Sequence, residues 1–296
     1  MIVHSISFGS TCLVLPDQST ADSADIGNQY GPLSPLIGTW VGDKGLNIVA
    51  VPSRRSSPTD TGRFELIVKP YREVLTFTPI DEPVRNRGGS LDQYIGALSY
   101  EQKVFATDGV PEELIHVESG MFFYLDHVVE YQTTTSSAVE YSIGRSASIP
   151  HGNAAMLLGT AKQYDGPPLI PTLLATPSDA GSKAPKEYTN PYQKPADITN
   201  PNSLLQRAAT SQNIIRTTHL SLDSNNGGTV SSVPFLLERA NTSRFRSDFW
   251  IEQLEGGNEQ LQYSQCIDIE FHEKIGGSGL ISWPHVTVNT LTKDHS

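Results

Sequence analysis

The stretch QLQYSQCIDIEF, residues 260–271, decides the fold class of this chain. Its side chains alternate between two sets, and the more apolar set is Leu261, Tyr263, Gln265, Ile267, Ile269 and Phe271. Successive side chains of a strand point to opposite faces, so this period of two residues predicts a β-strand. One polar face is typical of an antiparallel sheet with only one side buried.

Similar strand-like runs occur through most of the chain, at residues 64–69, 72–78, 94–105, 116–125, 127–132 and 138–143. Turn-forming sequences such as NNGG, residues 225–228, and EGGN, residues 255–258, separate the late runs, as in hairpins. Many consecutive antiparallel strands without a long helix predict an all-β fold, an antiparallel up-and-down β-barrel of about ten strands. A barrel of this size can hold one small ligand. A two-sheet sandwich is the alternative architecture.

Two segments depart from the strand pattern. Residues 1–30 show little periodicity and are interpreted as a flexible N-terminal arm, which leaves residues 31–296 as a single barrel domain. Residues 165–212 are too rich in proline for core strands. We interpret them as an insertion in the barrel, with a short helix at residues 202–209. An insertion of this length is usually a functional lid, a wrapping extension or disordered, and we expect a lid over the barrel mouth.

Composition excludes several classes of partner. The formal net charge of −11 argues against nucleic acid and against an anionic membrane surface. No apolar run is long enough to span a membrane, and the N-terminus lacks the features of a signal peptide. The two cysteines, Cys12 and Cys266, are interpreted as free thiols, consistent with a reducing compartment. We therefore expect a cytoplasmic protein with a small-molecule ligand, and the sequence leaves a homodimer open.

His285, in LISWPHVTVNTL, residues 280–291, is the leading candidate for a metal ligand. It follows a proline, has apolar neighbours and comes just after the last long strand-like run. An imidazole held in this way beside an apolar surface can bind a metal from one side, which suits a haem iron in an apolar cavity. A surface histidine that happens to follow a proline is the alternative interpretation.

Three segments in this order resemble the nitrobindin-type haem-binding β-barrel family, which is related in shape to the calycins and fatty-acid-binding proteins. They are PLSPLIGTWVG, residues 32–42, then LSYEQK with HVESGMF, residues 98–103 and 116–122, and the terminal PH at residues 284–285. The resemblance implies ferric haem b with His285 as the proximal ligand, NO binding and isomerisation of peroxynitrite to nitrate. The chain is longer than typical members, and Met121 to Phe123 replace an Arg-bearing strand end.

Four further residues are candidates for the same site. Thr39 and Trp40 of the opening motif are candidate haem contacts, although a tryptophan there is more often a plug at the barrel bottom. Arg145 is a candidate anchor for a carboxylate if it points inward, but an outward orientation is favoured because charged side chains seldom point inward unpaired. His151 lies on a turn after a proline and is a candidate distal residue or second axial ligand.

His116 and Glu118 form a second pattern, because they share one strand face with Gly120. An imidazole beside a carboxylate can act as an acid–base pair, but we interpret the segment as a structural strand. The sequence shows no phosphate-binding glycine loop, no CxxC and no His-Glu-x-x-His zinc motif.

Three functions remain open. The leading hypothesis is a haem-binding barrel for NO, peroxynitrite or another small oxidant, and the resemblance carries it. The second is a non-enzymatic carrier of a fatty acid or another small apolar ligand, anchored by Arg145 or a tyrosine. The third is a peroxidase-like haem enzyme with His151 as its distal acid–base group. Whether the protein is an enzyme is left open.

Overall fold

The computed structural model describes residues 29–53, 64–85, 94–125, 141–177, 186–193 and 195–295. Twelve strands are assigned in this part of the chain. They are β1 (Gly38–Pro52), β2 (Phe64–Pro79), β3 (Val84–Arg85), β4 (Tyr94–Ala106), β5 (Glu113–Leu125), β6 (Ile143–Ile149), β7 (Asn153–Asp165), β8 (Ile214–Asp223), β9 (Thr229–Ser232), β10 (Asn241–Leu254), β11 (Glu259–Glu273) and β12 (Leu280–Asp294). The helices are α1 (Ala196–Thr199), α2 (Asn202–Thr210) and α3 (Pro234–Arg239), with 3-10 helices at Gly31–Leu36, Lys186–Tyr188 and Asn190–Tyr192.

Ten of these strands close into one antiparallel barrel. The order is β2-β1-β12-β11-β10-β8-β7-β6-β5-β4, and β4 pairs with β2 to complete the circle. The short strands β3 and β9 add to β4 and β7. The predicted all-β up-and-down barrel of about ten strands is therefore confirmed. Closure pairs every strand of the wall on both sides, so the barrel has no free edge.

Most predicted elements agree with these strands, with two exceptions of detail. The runs at 64–69 and 72–78 are one strand, β2, which continues through Pro70. The run at 127–132 and the first half of the run at 138–143, residues 138–140, lie outside the described residues. The predicted helix at 202–209 is α2. Residues 1–28 of the predicted arm also lie outside the described part, while Tyr30 is buried and donates a hydrogen bond to the Ile80 carbonyl oxygen at 2.9 Å.

One end of the barrel is closed by its own side chains. The 3-10 helix Gly31–Leu36 lies across this end, and the Trp40 indole donates to the Leu36 carbonyl oxygen at 2.7 Å. An apolar cluster fills the interior above it, including Leu33, Phe77 and Phe122. Burial of these large apolar side chains away from water stabilises the barrel and blocks entry from this end.

The proline-rich insertion packs on the outside of the barrel wall. Its Ile170, Tyr192 and Leu205 form one buried cluster with outward-facing barrel residues such as Val286 and Val288. None of the described residues of the insertion lines the internal cavity. The described residues of the insertion therefore do not form the expected lid over the mouth, because apolar side chains hold them on the outer wall.

The insertion also changes the environment of strand β11. Its outward side chains were expected on a polar face, yet Gln260, Gln262, Ser264 and Cys266 are all buried. Gln262 donates a hydrogen bond to the Leu205 carbonyl oxygen of α2 at 3.0 Å, which satisfies part of its polar group. Both faces of β11 are thus covered, one by the barrel interior and one by the insertion. The buried Cys266 is a free thiol.

Candidate functional site

A cavity of about 450 Å³ opens at the end of the barrel opposite to Trp40. The upper wall is mostly apolar, and its members include Val49, Val51, Ile67, Val104, Ile115, Ile149, Val230, Ile267 and Ile269. Leu236 and Ala240, from α3 and the residue that follows it, also line the cavity. The floor is polar, with Tyr71, Gln102 and Tyr263. The volume lies within the range of ordinary small-molecule sites, and so does an apolar wall with a few polar groups.

His285 lies in the wall of this cavity, on β12. Its Nε2 is 2.7 Å from the Asn47 side-chain oxygen on β1. An amide oxygen accepts but cannot donate, so Nε2 carries the proton and Nδ1 keeps the lone pair. Burial, and to a smaller extent the nearby His116 and His151, lower the pKa of His285 to about 3. The imidazole is therefore neutral, which is the form that can donate an electron pair.

Two more histidines line the opposite side of the cavity. His151 lies in the turn between β6 and β7, and β6 is five strands from β12 in either direction around the barrel. His116 lies on β5, the neighbour of β6, and its ring centre is 5.5 Å from that of His151. Partial burial lowers the pKa of His151, and the adjacent His116 contributes in the same direction. The cavity thus lies between one imidazole on β12 and a pair of imidazoles facing it.

Glu118 connects the histidine pair to the barrel interior. Its Oε2 is 3.5 Å from His116 Nε2, and its Oε1 accepts hydrogen bonds from Arg145 and Tyr100. Burial alone would raise the pKa of Glu118, but the Arg145 charge and then His116 outweigh it and lower the pKa to about 2. A buried ion pair of this kind costs desolvation free energy and is held by its additional hydrogen bonds.

Arg145 points into the barrel, so the expected outward orientation is wrong. It is 1% exposed and donates to Ser247 at 2.8 Å and to Gln265 at 2.5 Å, in addition to Glu118. Aromatic rings surround the guanidinium, with Phe122 and Phe245 both within 5.3 Å of it. The outward orientation was expected because an unpaired charge is seldom buried, but the guanidinium of Arg145 is paired with the Glu118 carboxylate. Arg145 lies below the cavity and is not among the residues that line it.

A second carboxylate, Glu73, lies beneath the cavity floor. Its oxygens accept hydrogen bonds from Gln102 at 2.7 Å, Tyr263 at 2.6 Å and Asn289 at 2.9 Å. Burial raises the pKa of Glu73, and the three hydrogen bonds act against that rise. The Tyr71 hydroxyl joins the same network through Tyr263, at 2.7 Å. The floor is therefore a connected polar layer between the cavity and the apolar closed end.

The structure brings together some of the predicted site residues and separates others. His285 and His151 both line the cavity, and Arg145 lies just below it. Trp40 and Thr39 do not line the cavity: Trp40 belongs to the closed end, and the Thr39 hydroxyl is 3.1 Å from that of Thr76. They are on the other side of the polar floor from the histidines.

The sequence was interpreted as a structural strand at His116 and Glu118, and the structure places both side chains in the lining of the cavity. Their spacing of two residues was the signal for a shared face. What the sequence did not show is that Arg145, on the next strand, balances the Glu118 charge. Asn47 gave no sequence signal, because its partner His285 is 238 residues away along the chain.

The fold and the site define an all-β barrel, closed at one end and hollow at the other, with histidines on both sides of its cavity. Across the described residues, no group of three or more His, Cys, Asp or Glu side chains is arranged to hold a metal ion. No helix in the described part of the chain is long and apolar enough to cross a membrane.

Comparison with known proteins gives one likeness in three dimensions. No protein-family model and no curated protein matches the sequence. The chain is similar to the crystal structure of Rv2717c from M. tuberculosis, with 14% identity and a TM-score of 0.43, over 92% of this chain and 100% of that one. At this identity and TM-score, the likeness assigns no family to the chain.

Proposed function

We propose that the barrel binds haem b in its cavity, with His285 as the axial ligand of the iron. The observation that carries this proposal is the position of His285, in the wall of an apolar cavity with its Nε2 bonded to Asn47. The sequence resemblance to the nitrobindin-type family independently selects the same histidine. We propose NO, peroxynitrite or another small oxidant as the molecule that reaches the iron.

The residues present fit a haem group in three respects. The upper wall is apolar, as a porphyrin face requires, and the cavity has the size of ordinary cofactor sites. The imidazole of His285 is partly buried, so its orientation is fixed by the surrounding protein. Asn47 supplies the acceptor that metal-binding histidines generally have on their second nitrogen, which fixes the tautomer. On this basis, Nδ1 is the nitrogen of His285 that is available to iron.

When bound, ferric haem would supply an iron able to bind a small ligand, and His285 would hold the group in the cavity. The chain contributes the rest: the apolar wall limits water around the iron, and the closed end leaves the mouth near His151 as the way in. The helix α3 borders this mouth, with Leu236 towards the cavity and Phe235 exposed. The low dielectric constant of an apolar wall strengthens electrostatic interactions inside the cavity.

A carrier for fatty acids is less well supported. Its expected anchor, Arg145, is already paired with Glu118, Gln265 and Ser247 and lies below the cavity. A ligand carboxylate would therefore have to displace Glu118 from an ion pair that is almost fully buried.

The experiment compares haem binding by the purified protein and two histidine variants. The wild-type protein should give a Soret band on titration with haem, and His285→Ala should lose the band or shift it to that of unligated haem. The matched control is His219→Ala, because His219 lies on the outer wall, stacked on Trp250 and bonded to Asp248. A Soret band unchanged in His285→Ala would remove His285 as the ligand. Native mass spectrometry showing a lipid and no haem would favour the carrier.

A further inference from the structure

We propose that His116, positioned by Glu118, is the residue that removes the proton from a weak acid binding in the cavity. The ligand class is a neutral acid HX that binds as its anion X⁻, such as hydrogen cyanide or hydrogen peroxide. The proposal rests on the proposed function for the position of the ligand, on the side of the cavity that faces His285. It assigns the acid–base role to His116 rather than to His151.

Glu118 is held so that one of its two oxygens faces His116. Arg145 and Tyr100 both donate to Oε1, which leaves Oε2 to face His116 Nε2 at 3.5 Å. A carboxylate next to one imidazole nitrogen favours the tautomer with the proton on that nitrogen, and it stabilises the imidazolium that forms when a second proton arrives. The proton on Nε2 leaves the Nδ1 lone pair of His116 as the base.

The two neighbouring histidines, His116 and His151, differ in their charged partners. His116 has a buried carboxylate beside it, and none of the described hydrogen bonds or ion pairs gives His151 such a partner. Partial burial and the nearby His116 both lower the pKa of His151, so the second histidine stays neutral. His151 is the more exposed of the two, at the mouth of the cavity, and can pass a proton between His116 and solvent.

Four titratable groups on other positions of the barrel act on the His116 imidazole. Glu118 lies on its own strand, Glu73 interacts with it from β2, and His151 and His285 face it from the β6–β7 turn and from β12. Lys69 also lines the cavity, but its ammonium is paired with Asp108. Among these groups, the Glu118 carboxylate lies 3.5 Å from His116 and carries the charge opposite to an imidazolium, whereas His151 and His285 are neutral.

The proton transfer balances without a further reactant. The H–X bond breaks, its proton goes to Nδ1 of His116, and X⁻ keeps the electron pair. The imidazolium then lies between the Glu118 carboxylate and the bound anion, so the added charge has a partner on each side. Release reverses the step, and His151 returns the proton to solvent when the anion stays. A ligand without an acidic proton, such as NO, needs none of this.

The experiment measures the association rate of cyanide with the ferric haem-loaded protein by stopped flow, at neutral pH. His116→Gln should lower the rate constant about 100-fold, the lower range for loss of a general base. The association rate of NO should change little in the same variant, because NO carries no proton. His219→Gln serves as the matched control, and both of its rates should equal those of the wild type.

Separate outcomes test the two proposals. Equal cyanide rates in wild type and His116→Gln, with the Soret band intact, would overturn the role of His116, and a decrease confined to His151→Gln would give the role to His151. A wild-type protein without a Soret band would contradict haem binding instead. The ¹⁵N NMR spectrum of the haem-free protein tests the positioning itself: we expect the Nε2-protonated tautomer of His116, and an Nδ1-protonated ring would overturn the inference. If His116→Gln does not fold, His116→Asn replaces it in the kinetic measurement.

Discussion

At the scale of single residues, Asn47 decides which nitrogen of His285 is available to a ligand. Its side-chain oxygen fixes the proton on Nε2 from 2.7 Å away. Partners of this kind orient a metal-bound imidazole and increase its basicity, and their loss typically weakens metal affinity 10- to 100-fold, as an order-of-magnitude guide. The hydrogen bond links β1 to β12, so it also holds two wall strands in register.

We predict that Asn47→Ala lowers haem affinity by about 10- to 100-fold and leaves the fold intact. Asn47→Asp should retain most of the affinity, because an aspartate keeps an oxygen acceptor at the same position. The measurement is the rate of haem transfer to an excess of a strong haem acceptor, followed in the Soret region. Equal haem loss from the two variants would show that the acceptor on His285 does not matter.

Glu252 is a second residue whose burial has a measurable consequence. It is fully buried on the outer face of β10, where Gln260 donates to one oxygen at 2.6 Å and the other has no hydrogen-bond partner among the described residues. Burial raises the pKa of Glu252 to about 8, and the hydrogen bond from Gln260 only partly opposes this. The side chain is therefore protonated in the folded protein at neutral pH.

We predict that Glu252 makes the folded protein less stable as the pH rises. In the unfolded chain its pKa is about 4.3, so above that pH the folded state holds a proton that the unfolded state has released. Its contribution is complete below about pH 4 and is lost progressively up to its folded pKa of about 8. The change is about 1.4 kcal/mol for each unit of difference between the two pKa values.

Urea unfolding at pH 6 and pH 9 measures the contribution of Glu252 to stability, with Glu252→Gln as the matched variant. The wild type should lose free energy of unfolding between the two pH values, and the variant should lose less. A pH dependence that is the same in both proteins would place the titration elsewhere.

The sequence shows which residue types are present but not which charges meet. His116 and Glu118 share a strand face by their spacing, and that much was predictable. Glu118 and Arg145 are 27 residues apart on the neighbouring strands β5 and β6, and their pairing places a charge that was expected outside in the barrel interior. The register between two strands decides which side chains meet across them. That register is set by the whole barrel rather than by the local sequence.

At the scale of elements, the proline-rich insertion acts as a second layer on the barrel wall. The alternation in β11 predicted its strand and its inward face, because inward positions of a barrel must be apolar or paired. The burial of the outer face was not predictable, because glutamines and a serine there are polar by composition. Their cover is α2 together with the segments around it, which are distant in sequence.

We predict that Leu205→Ala, in α2, lowers the free energy of unfolding by about 2 to 5 kcal/mol, as expected for a buried leucine. Leu205 is 1% exposed and packs in the cluster between insertion and wall. Leu237→Ala in α3 is the matched control, because Leu237 is 55% exposed and its replacement should change stability by less than about 0.5 kcal/mol. Chemical denaturation of both variants gives the comparison. Equal values would show that the insertion does not contribute to the folded core.

At the scale of the whole molecule, the barrel divides its interior into two halves. The half near Trp40 is filled with apolar side chains and supplies stability, while the half near His285 is hollow and gives up those contacts. The polar layer around Glu73 and Arg145 separates the halves. A hollow half lacks the packing that a filled one has, so an occupant that fits it should stabilise the fold by its own binding free energy.

Because the hollow half lacks packing, we predict that haem raises the melting temperature of the wild-type protein. A ligand at 100 times its dissociation constant adds about 2.7 kcal/mol, which corresponds to an increase of about 5 °C or more for a domain of this size class. His285→Ala should lose most of the increase, and His219→Ala on the outer wall should keep it. Differential scanning calorimetry with and without haem measures all three. An increase of the same size in His285→Ala would mean that a bond between iron and His285 contributes nothing to the stabilisation by haem.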